Sequence, residues 1–563
     1  MPRMDARDEL RYYNDAKTIR STREQEFRQC SAYCLPEHYS AWQTEGPILL
    51  NNGAQVTRRT VFDNTGTRSL PKYTSVLQRL LTPDGVRYQG LKASNPELNK
   101  IRRVKLYFDS LTNELFKMRG SPVSRFTIAT AEVYASLGAY GTGPIYVGQR
   151  KPNATYRQRT TIYKGCMLRD IFILVNDDDE IVAVYRRFYL NVRQFKAKWP
   201  EVPLPKSMDT PQPNESAYHE FVHVVKARDI KDHDPEALDS RRHPISGSYI
   251  CVKDAEYIGE EHGFRSMPYL TPRTFTVSGD PYGFSPASRV LAAMGGASAT
   301  KKTYIKQGQK AVDPVLLGFD DGVLNGEVDL RPGAYNPGGL DSQGRELVKA
   351  MQTGNFQVAE QLLEHDRNDI EDSFFVTLFQ ILNETPEMTA TEVIERVAEK
   401  TALLAPTMGR GQSEFLGPCT QREIDLMVEI GIAPQMPPEL IEAAGEYAIQ
   451  YTSPMAKGIH AEETAGFNRT VELAIGVAQA TGDPEALDYF NWDVAIPEIA
   501  DNQAVPARWM NDEAAIEAIR KNRAEQMQQQ QLLQNAGGIA QMTKAANDVA
   551  QTNGSLGGRA RRL

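Results

Sequence analysis

Long hydrophobic runs are missing from this sequence. No stretch of its 563 residues approaches the roughly 18–20 consecutive apolar positions that a bilayer-spanning helix needs. A helical membrane span is thereby excluded. The opening residues, MPRMDARDELRYYNDAK, are charged from the first turn and lack the apolar centre of a secretory signal. The expectation is a protein that stays in the compartment where it is made. Cysteine is scarce, at five residues. Cys30 and Cys34 are spaced CxxxC, and Cys166, Cys251 and Cys419 are scattered. An odd count without zinc-ligand spacing points to buried free thiols in a reducing compartment. An excess of positive charge is also lacking: the net charge of −8 argues against simple coating of nucleic acid.

What remains is a globular composition, 41% hydrophobic and 24% charged, on a chain long enough for several domains. Residues 8–34 carry a charged, helix-competent pattern. A Gly/Asn/Thr-rich stretch follows, and a second helical block spans 97–118, where Val104, Phe108, Leu111 and Leu115 mark one face. From 144 to 275 the period changes. IYVGQR, IFILVN, EIVAVYRRFYL, EFVHVVKARD and GSYICVKDAEYIGEE read as antiparallel strands of an α+β fold. NDDDE at 176–180 is a hairpin turn between two of them.

Two long helical stretches then bracket a Gly/Pro-rich, strand-like stretch of 313–354 that holds a possible short helix at 345–352. The first, 285–311, contains Arg289, Lys301, Lys302, Lys306 and Lys310 and no acid, although Gly295 and Gly296 weaken its helix signal. The second, 355–382, contains Glu360, Glu364, Asp366, Asp369, Glu371 and Asp372 against Arg367. These are either unrelated solvated faces or partners packed side by side, within one chain or between neighbours. Complementary charge would then set register more than stability, since exposed pairs contribute roughly 0–1 kcal/mol each. The last part is Ala- and Glu-rich, with a glutamine run and a tail, NGSLGGRARRL, expected to be disordered in isolation.

Motifs that suggest an enzyme fail on their setting. His219-Glu220-x-x-His223 matches the zinc-peptidase HExxH, which needs a helix to bring both histidines to one metal. Its core, FVHVV, has strand character, and on a strand the histidines lie about 13 Å apart. Lys226 stands where a metzincin has glycine. The stretch from Gly296 to Thr303 is one residue short of a P-loop: Lys301 occupies the place of the glycine, and no strand leads in. There is no GxSxG elbow, and no carboxylate cluster outside NDDDE, which reads as a solvated hairpin tip. No catalytic residue, metal site or cofactor is expected.

The order of these pieces resembles the head-to-tail connector (portal) family of short-tailed phages over roughly residues 10–535. The phrases that carry it are RQCSAYCLPEH, RRTVFDNTGTRSLPKYTSVLQRLLTPDGVRYQGLKASNPEL, ASLGAYGTGPIYVGQ, EIVAVYRRFYLNVRQFKAKWP, EFVHVVKARD and DPYGFSPASRVLAAM. Val86-Arg87-Tyr88 stands where the family usually has tryptophan, and the HExxH match falls inside a family strand. The resemblance implies a portal fold assembled as a dodecameric ring. In it, 1–283 would be wing, 284–312 the first stem helix, 313–354 the clip and 355–382 the second stem helix, with Arg289, Lys301, Lys302, Lys306 and Lys310 on the stem either touching DNA phosphate or pairing with acids of a neighbouring subunit. Residues 383–391 would be the channel loop, with Asn383, Glu384, Thr385, Pro386, Glu387, Met388 and Thr389 at the duplex. Residues 392–436 would be the long wing helix, and 437–563 the crown or C-terminal barrel.

The same resemblance implies a non-enzymatic channel for packaging and ejecting double-stranded DNA, at a capsid vertex of the virion after assembly in the host cytoplasm. Expected partners are further copies of the chain, the DNA, the terminase motor, tail adaptor, major capsid and scaffolding proteins, and internal core or ejection proteins. No membrane is involved. A wall with few cationic clamps suits sliding rather than gripping. The alternatives are a zinc metallopeptidase, which is disfavoured, or another tail or ejection component of the virion.

Overall fold

The computed structural model describes residues 4–529 except 48–59, 319–327, 377–405 and scattered shorter stretches. The helical expectation for 8–34 resolves into two helices, α1 (Ala6–Ser21) and α2 (Glu24–Cys34). Asp5 caps the first by accepting from the Arg7 amide at 3.3 Å. The chain turns at Thr22 and Arg23, where the Arg23 guanidinium reaches Glu26 and Asp280. Helix α3 (Thr65–Leu81) packs Leu70, Tyr73 and Leu77 inward. Strand β1 (Gln89–Ala93) leads to α4 (Arg102–Gly120). The expected block at 97–118 thus starts later, because Leu98–Lys100 forms a separate 3-10 turn. Its forecast face is correct: Val104, Phe108, Leu111 and Leu115 are all buried. Helix α5 (Phe126–Tyr140) follows.

The strands read from period 2 form two antiparallel sheets. β2 (Ile145–Arg150) lies between β3 (Thr160–Gly165) and β9 (Tyr269–Leu270). β4 (Ile171–Val175), β5 (Ile181–Leu190), β6 (His219–Ala227), β7 (Ile245–Cys251) and β8 (Glu256–Phe264) pair in sequence order as a meander. GSYICVKDAEYIGEE is therefore two strands, turned at Ala255 with φ +50°. Helix α1 covers one face of the meander, with Tyr13 edge-on to Phe172 at 5.1 Å. The other face packs α6 (Val192–Lys198), held at its start by a capping box of Asn191 and Gln194.

The basic stretch begins as the short α7 (Pro286–Arg289) and continues, after a break at Val290, as α8 (Leu291–Val312). A small hairpin, β10 (Leu316–Gly318) against β11 (Val348–Ala350), leads into the acidic α9 (Phe356–Ser373). The helix considered for 345–352 is a strand. Val348, Lys349 and Ala350 find backbone partners in Gly318, Leu317 and Leu316, which three residues of an isolated helical turn could not supply. α9 ends at Ser373, and Phe375 takes a left-handed φ of +57°, so the expected helix does not run unbroken through 355–382. Residues 377–382 lie outside those described. Helix α10 (Gly417–Ile430) returns to the body, β12 (Tyr447–Tyr451) pairs with β1, and α11 (Pro454–Thr481) and α12 (Trp492–Asn502) follow. Among the described residues no helix is long and apolar enough to cross a membrane.

One core joins residues 27 to 426, and the bases of both charged helices belong to it through Met294, Ala297, Leu363, Ile370 and Phe374. Four of the five expected free thiols are buried and Cys166 is half-buried; none is bonded. Burial pushes the Cys30 thiol up to about 12, which keeps it protonated and unreactive.

Candidate functional site

Helices α8 and α9 run antiparallel and side by side. The close approach uses Gly296: a Cβ there would sit 3.1 Å from the Asp366 carboxylate, so the glycine that weakened the helix signal faces the partner helix. Both helices are tied to Asp63, 5% exposed, in the segment before α3. Arg367 donates to Asp63 Oδ2 from Nε at 3.0 Å and from its terminal nitrogen at 2.6 Å. Lys301 Nζ lies 3.6 Å from the same oxygen. The Thr65 amide donates to Oδ1 at 2.9 Å. Burial works against the Asp63 carboxylate, but hydrogen bonds from Thr65 and Arg367 and the guanidinium charge hold it below its ordinary range.

The remaining sequence-selected charges are dispersed. Arg289 is at the base, its guanidinium 3.5 Å from the centre of the Phe275 ring. Lys302, Lys306 and Lys310 are exposed, with Lys302 Nζ 5.5 Å from the Phe62 ring. Glu360, Glu364, Asp369 and Asp372 are exposed, Asp366 and Glu371 half-buried. Asp369 lies 3.8 Å from His365 on its own helix. The loop Asn383, Glu384, Thr385, Pro386, Glu387, Met388 and Thr389 lies outside the described residues. The tip of the helix pair leaves apolar side chains uncovered: Val312 is 88% exposed and Leu340 60%, with Val315, Leu317 and Met351 also exposed.

Sequence reasoning missed Asp63, and it missed a second charged junction. Arg119 on α4 donates from Nε to Glu423 on α10 at 2.8 Å, and from its terminal nitrogens to Glu423 at 2.6 Å and to the Tyr88 hydroxyl at 2.8 Å. The Tyr163 hydroxyl also donates to Glu423. Both charges are fully buried. Burial alone would lower the Arg119 pKa, but Glu423 beside it holds it well above the usual value. Nothing local in the sequence marks these pairs, because each joins positions hundreds of residues apart.

The motifs set aside behave as strand and helix. HExxH lies wholly on β6. His223 is buried, donating or accepting at 2.8 Å with the Tyr269 hydroxyl and stacked 4.2 Å from Tyr249. Glu220 points to the opposite face of the sheet, where it accepts from the Tyr13 hydroxyl at 3.0 Å. A glutamate across the sheet from both histidines cannot act as their general base. Residues 296–303 lie within α8, without a phosphate-cradling loop. The NDDDE turn is anchored to the protein: Asp179 accepts from the Gly279 amide and the Ser278 hydroxyl, each at 3.0 Å. Among the described residues no cluster of three or more His, Cys, Asp or Glu side chains could hold a metal.

The two charged helices are rooted in the core, and the strand pair that follows the basic helix carries exposed apolar side chains. The chain belongs to the family described as bacteriophage head to tail connecting protein, whose model matches residues 7–510. It is 26% identical over 558 residues to a "Probable portal protein" of Bordetella phage BPP-1, covering 97% of this chain and 96% of the relative. It is 24% identical over 505 residues to the "Portal protein" of Salmonella phage epsilon15, covering 88% of each. A chain from a solved "Virion of native gene transfer agent (GTA) particle" aligns at 12% identity and a TM-score of 0.33, covering 77% of this chain and 93% of that one.

Proposed function

We propose that this protein is the portal subunit of a tailed phage: a structural ring component through which double-stranded DNA enters and leaves the capsid. The observation that carries the reading is the family match across residues 7–510, together with two relatives named as portal proteins and matched over most of their length. In this reading 284–312 and 355–382 are the stem, 313–354 the clip, 383–391 the channel loop, 1–283 and 392–436 the wing, and 437–563 the crown or barrel.

The physical features support it. The hairpin of β10 and β11 carries exposed apolar side chains that it cannot bury alone, and copies of itself in a ring would cover them. The net charge of −8 per chain disfavours tight phosphate binding, so DNA slides. The clip would receive the terminase motor during packaging and tail adaptors afterwards. The outer wing would meet capsid and scaffolding proteins, and the crown internal core proteins.

Negative-stain electron microscopy of the purified chain tests the reading. An annulus with a central hole and a narrower stem is expected, and twelve copies are the expected number. A monomer without an aperture would overturn the proposal.

A further inference from the structure

A cluster of cations lies on the face of the meander that packs α6. Arg186 on β5 is the register partner of His223 on β6, which is in turn that of Tyr249 on β7. His223 stacks on Tyr249 at 4.2 Å, and Lys198 Nζ, at the end of α6, lies 4.4 Å from the centre of the same tyrosine ring. The three-stranded sheet meets this row. Tyr269 on β9 bonds His223 Nδ1 at 2.8 Å and packs 5.0 Å from Tyr146 on β2, the register partner of Lys164 on β3. Lys164 and Lys198 are exposed and Arg186 is half-buried. Among the described residues none of the three makes an ion pair, in a chain with 72 acidic residues to 64 Lys and Arg.

The three cations are close enough to act on one another. The Arg186 charge is the largest influence lowering the Lys164 pKa, and burial, then Arg186 and Lys164, push that of Lys198 down to about 7. Glu132 on α5 acts on Lys164 in the opposite sense without bonding it. Like charges held together in this way are costly unless an anion sits among them. A buried donor adds to them. The Arg186 guanidinium can only donate, so the Tyr269 hydroxyl accepts from it and donates its own hydrogen to His223 Nδ1. The neutral imidazole then carries its hydrogen on Nε2, which has no partner among the described residues although His223 is only 2% exposed.

We propose that Arg186, Lys164 and Lys198, with the His223 Nε2 donor, form a binding site for a phosphate group. A lone carboxylate offers a single charge, whereas phosphate offers more charge and enough oxygens for a guanidinium fork and both ammonium groups together. The group arrives either as free phosphate or on a nucleic-acid backbone. The rings of Phe188 and Trp199, 4.2 and 4.3 Å from Lys198 Nζ, complete with Tyr249 a cage that fixes this lysine beside the site.

The test is isothermal titration of the full-length chain with sodium phosphate at fixed ionic strength. Saturable binding at a single site per chain is expected. Lys164→Gln and Lys198→Gln should each weaken it by about tenfold or more, and Lys302→Gln, on the basic helix, should leave it as it was. Far-UV circular dichroism establishes that each variant is folded. Competition by a short DNA duplex would uphold the site and assign its phosphate to a nucleic-acid backbone. A duplex without effect on saturable phosphate binding would uphold it for free phosphate.

Titration without saturation, or wild-type affinity in both lysine variants, would overturn the proposal. So would a glutamate-rich peptide that binds the same site more tightly than phosphate, because the site would then be one for carboxylates. Lys164 is exposed on a strand, so its substitution tests the site even where Lys198→Gln loosens the rings around it.

Discussion

Arg367 and Asp63, 304 residues apart, form the ion pair that joins the acidic helix to the body, with the shorter of two hydrogen bonds at 2.6 Å. Lys301 approaches the same carboxylate from the basic helix. One buried acid thus ties both helices to the segment before α3.

Asp63→Asn should lower stability by about 1–3 kcal/mol, because a buried charge-assisted bond is lost while Arg367 and Lys301 keep their charge. Lys301→Glu should be similarly harmful, since it sets a second carboxylate against the first. The pH dependence follows from the lowered Asp63 pKa. Its contribution is present above the unfolded value of about 4 and is lost as pH falls through the folded one. Urea unfolding of wild type and Asp63→Asn at neutral and acidic pH checks this; an equal difference at both would contradict it.

The Arg119–Glu423 pair makes a different prediction. Glu423→Gln should destabilise by roughly 3–5 kcal/mol, because Arg119 would remain buried without a counter-charge. Replacing both, as Arg119→Met with Glu423→Leu, should be milder than either single change. A double-mutant cycle of unfolding free energies measures it, and additive losses would remove the pair as a coupled unit.

His223 predicts sensitivity to mild acid. Burial first, then the charges of His262, Lys198 and Arg186, hold its pKa well below the ordinary value. The unfolded chain gains a proton below about pH 6.5 that the native one excludes, so stability is full above that value and declines below it. His38 and His219 shift the same way, so His223→Gln should flatten the decline without abolishing it. Melting temperatures between neutral and mildly acidic pH report the slope; an unchanged slope would speak against a buried neutral imidazole.

Removing Glu384–Met388 from the proposed channel loop should leave ring yield unchanged and let packaged DNA slip back. Retention of DNA in filled particles is the measurement, and full retention would deny the loop that role.

Wherever local pattern carries the information, the sequence was legible. The face of Val104, Phe108, Leu111 and Leu115 follows from helical spacing, and the strand setting of His219 and His223 from β-branched neighbours. The limits appear at joints. Nothing in the composition of 355–382 announces the left-handed Phe375, and Val348–Ala350 is a strand only because Leu316–Gly318 lies beside it.

By itself, then, the sequence determined the α+β class, the opposite charge of the two helices, the strand character of the HExxH segment and the family resemblance. These depend on side-chain periodicity and local order, which act over a few residues. The tertiary structure alone decided that Asp63 receives a cation from each of the two rods. It alone sealed Arg119 against Glu423. Those outcomes depend on which distant side chains share a desolvated space, and only chain closure brings them together.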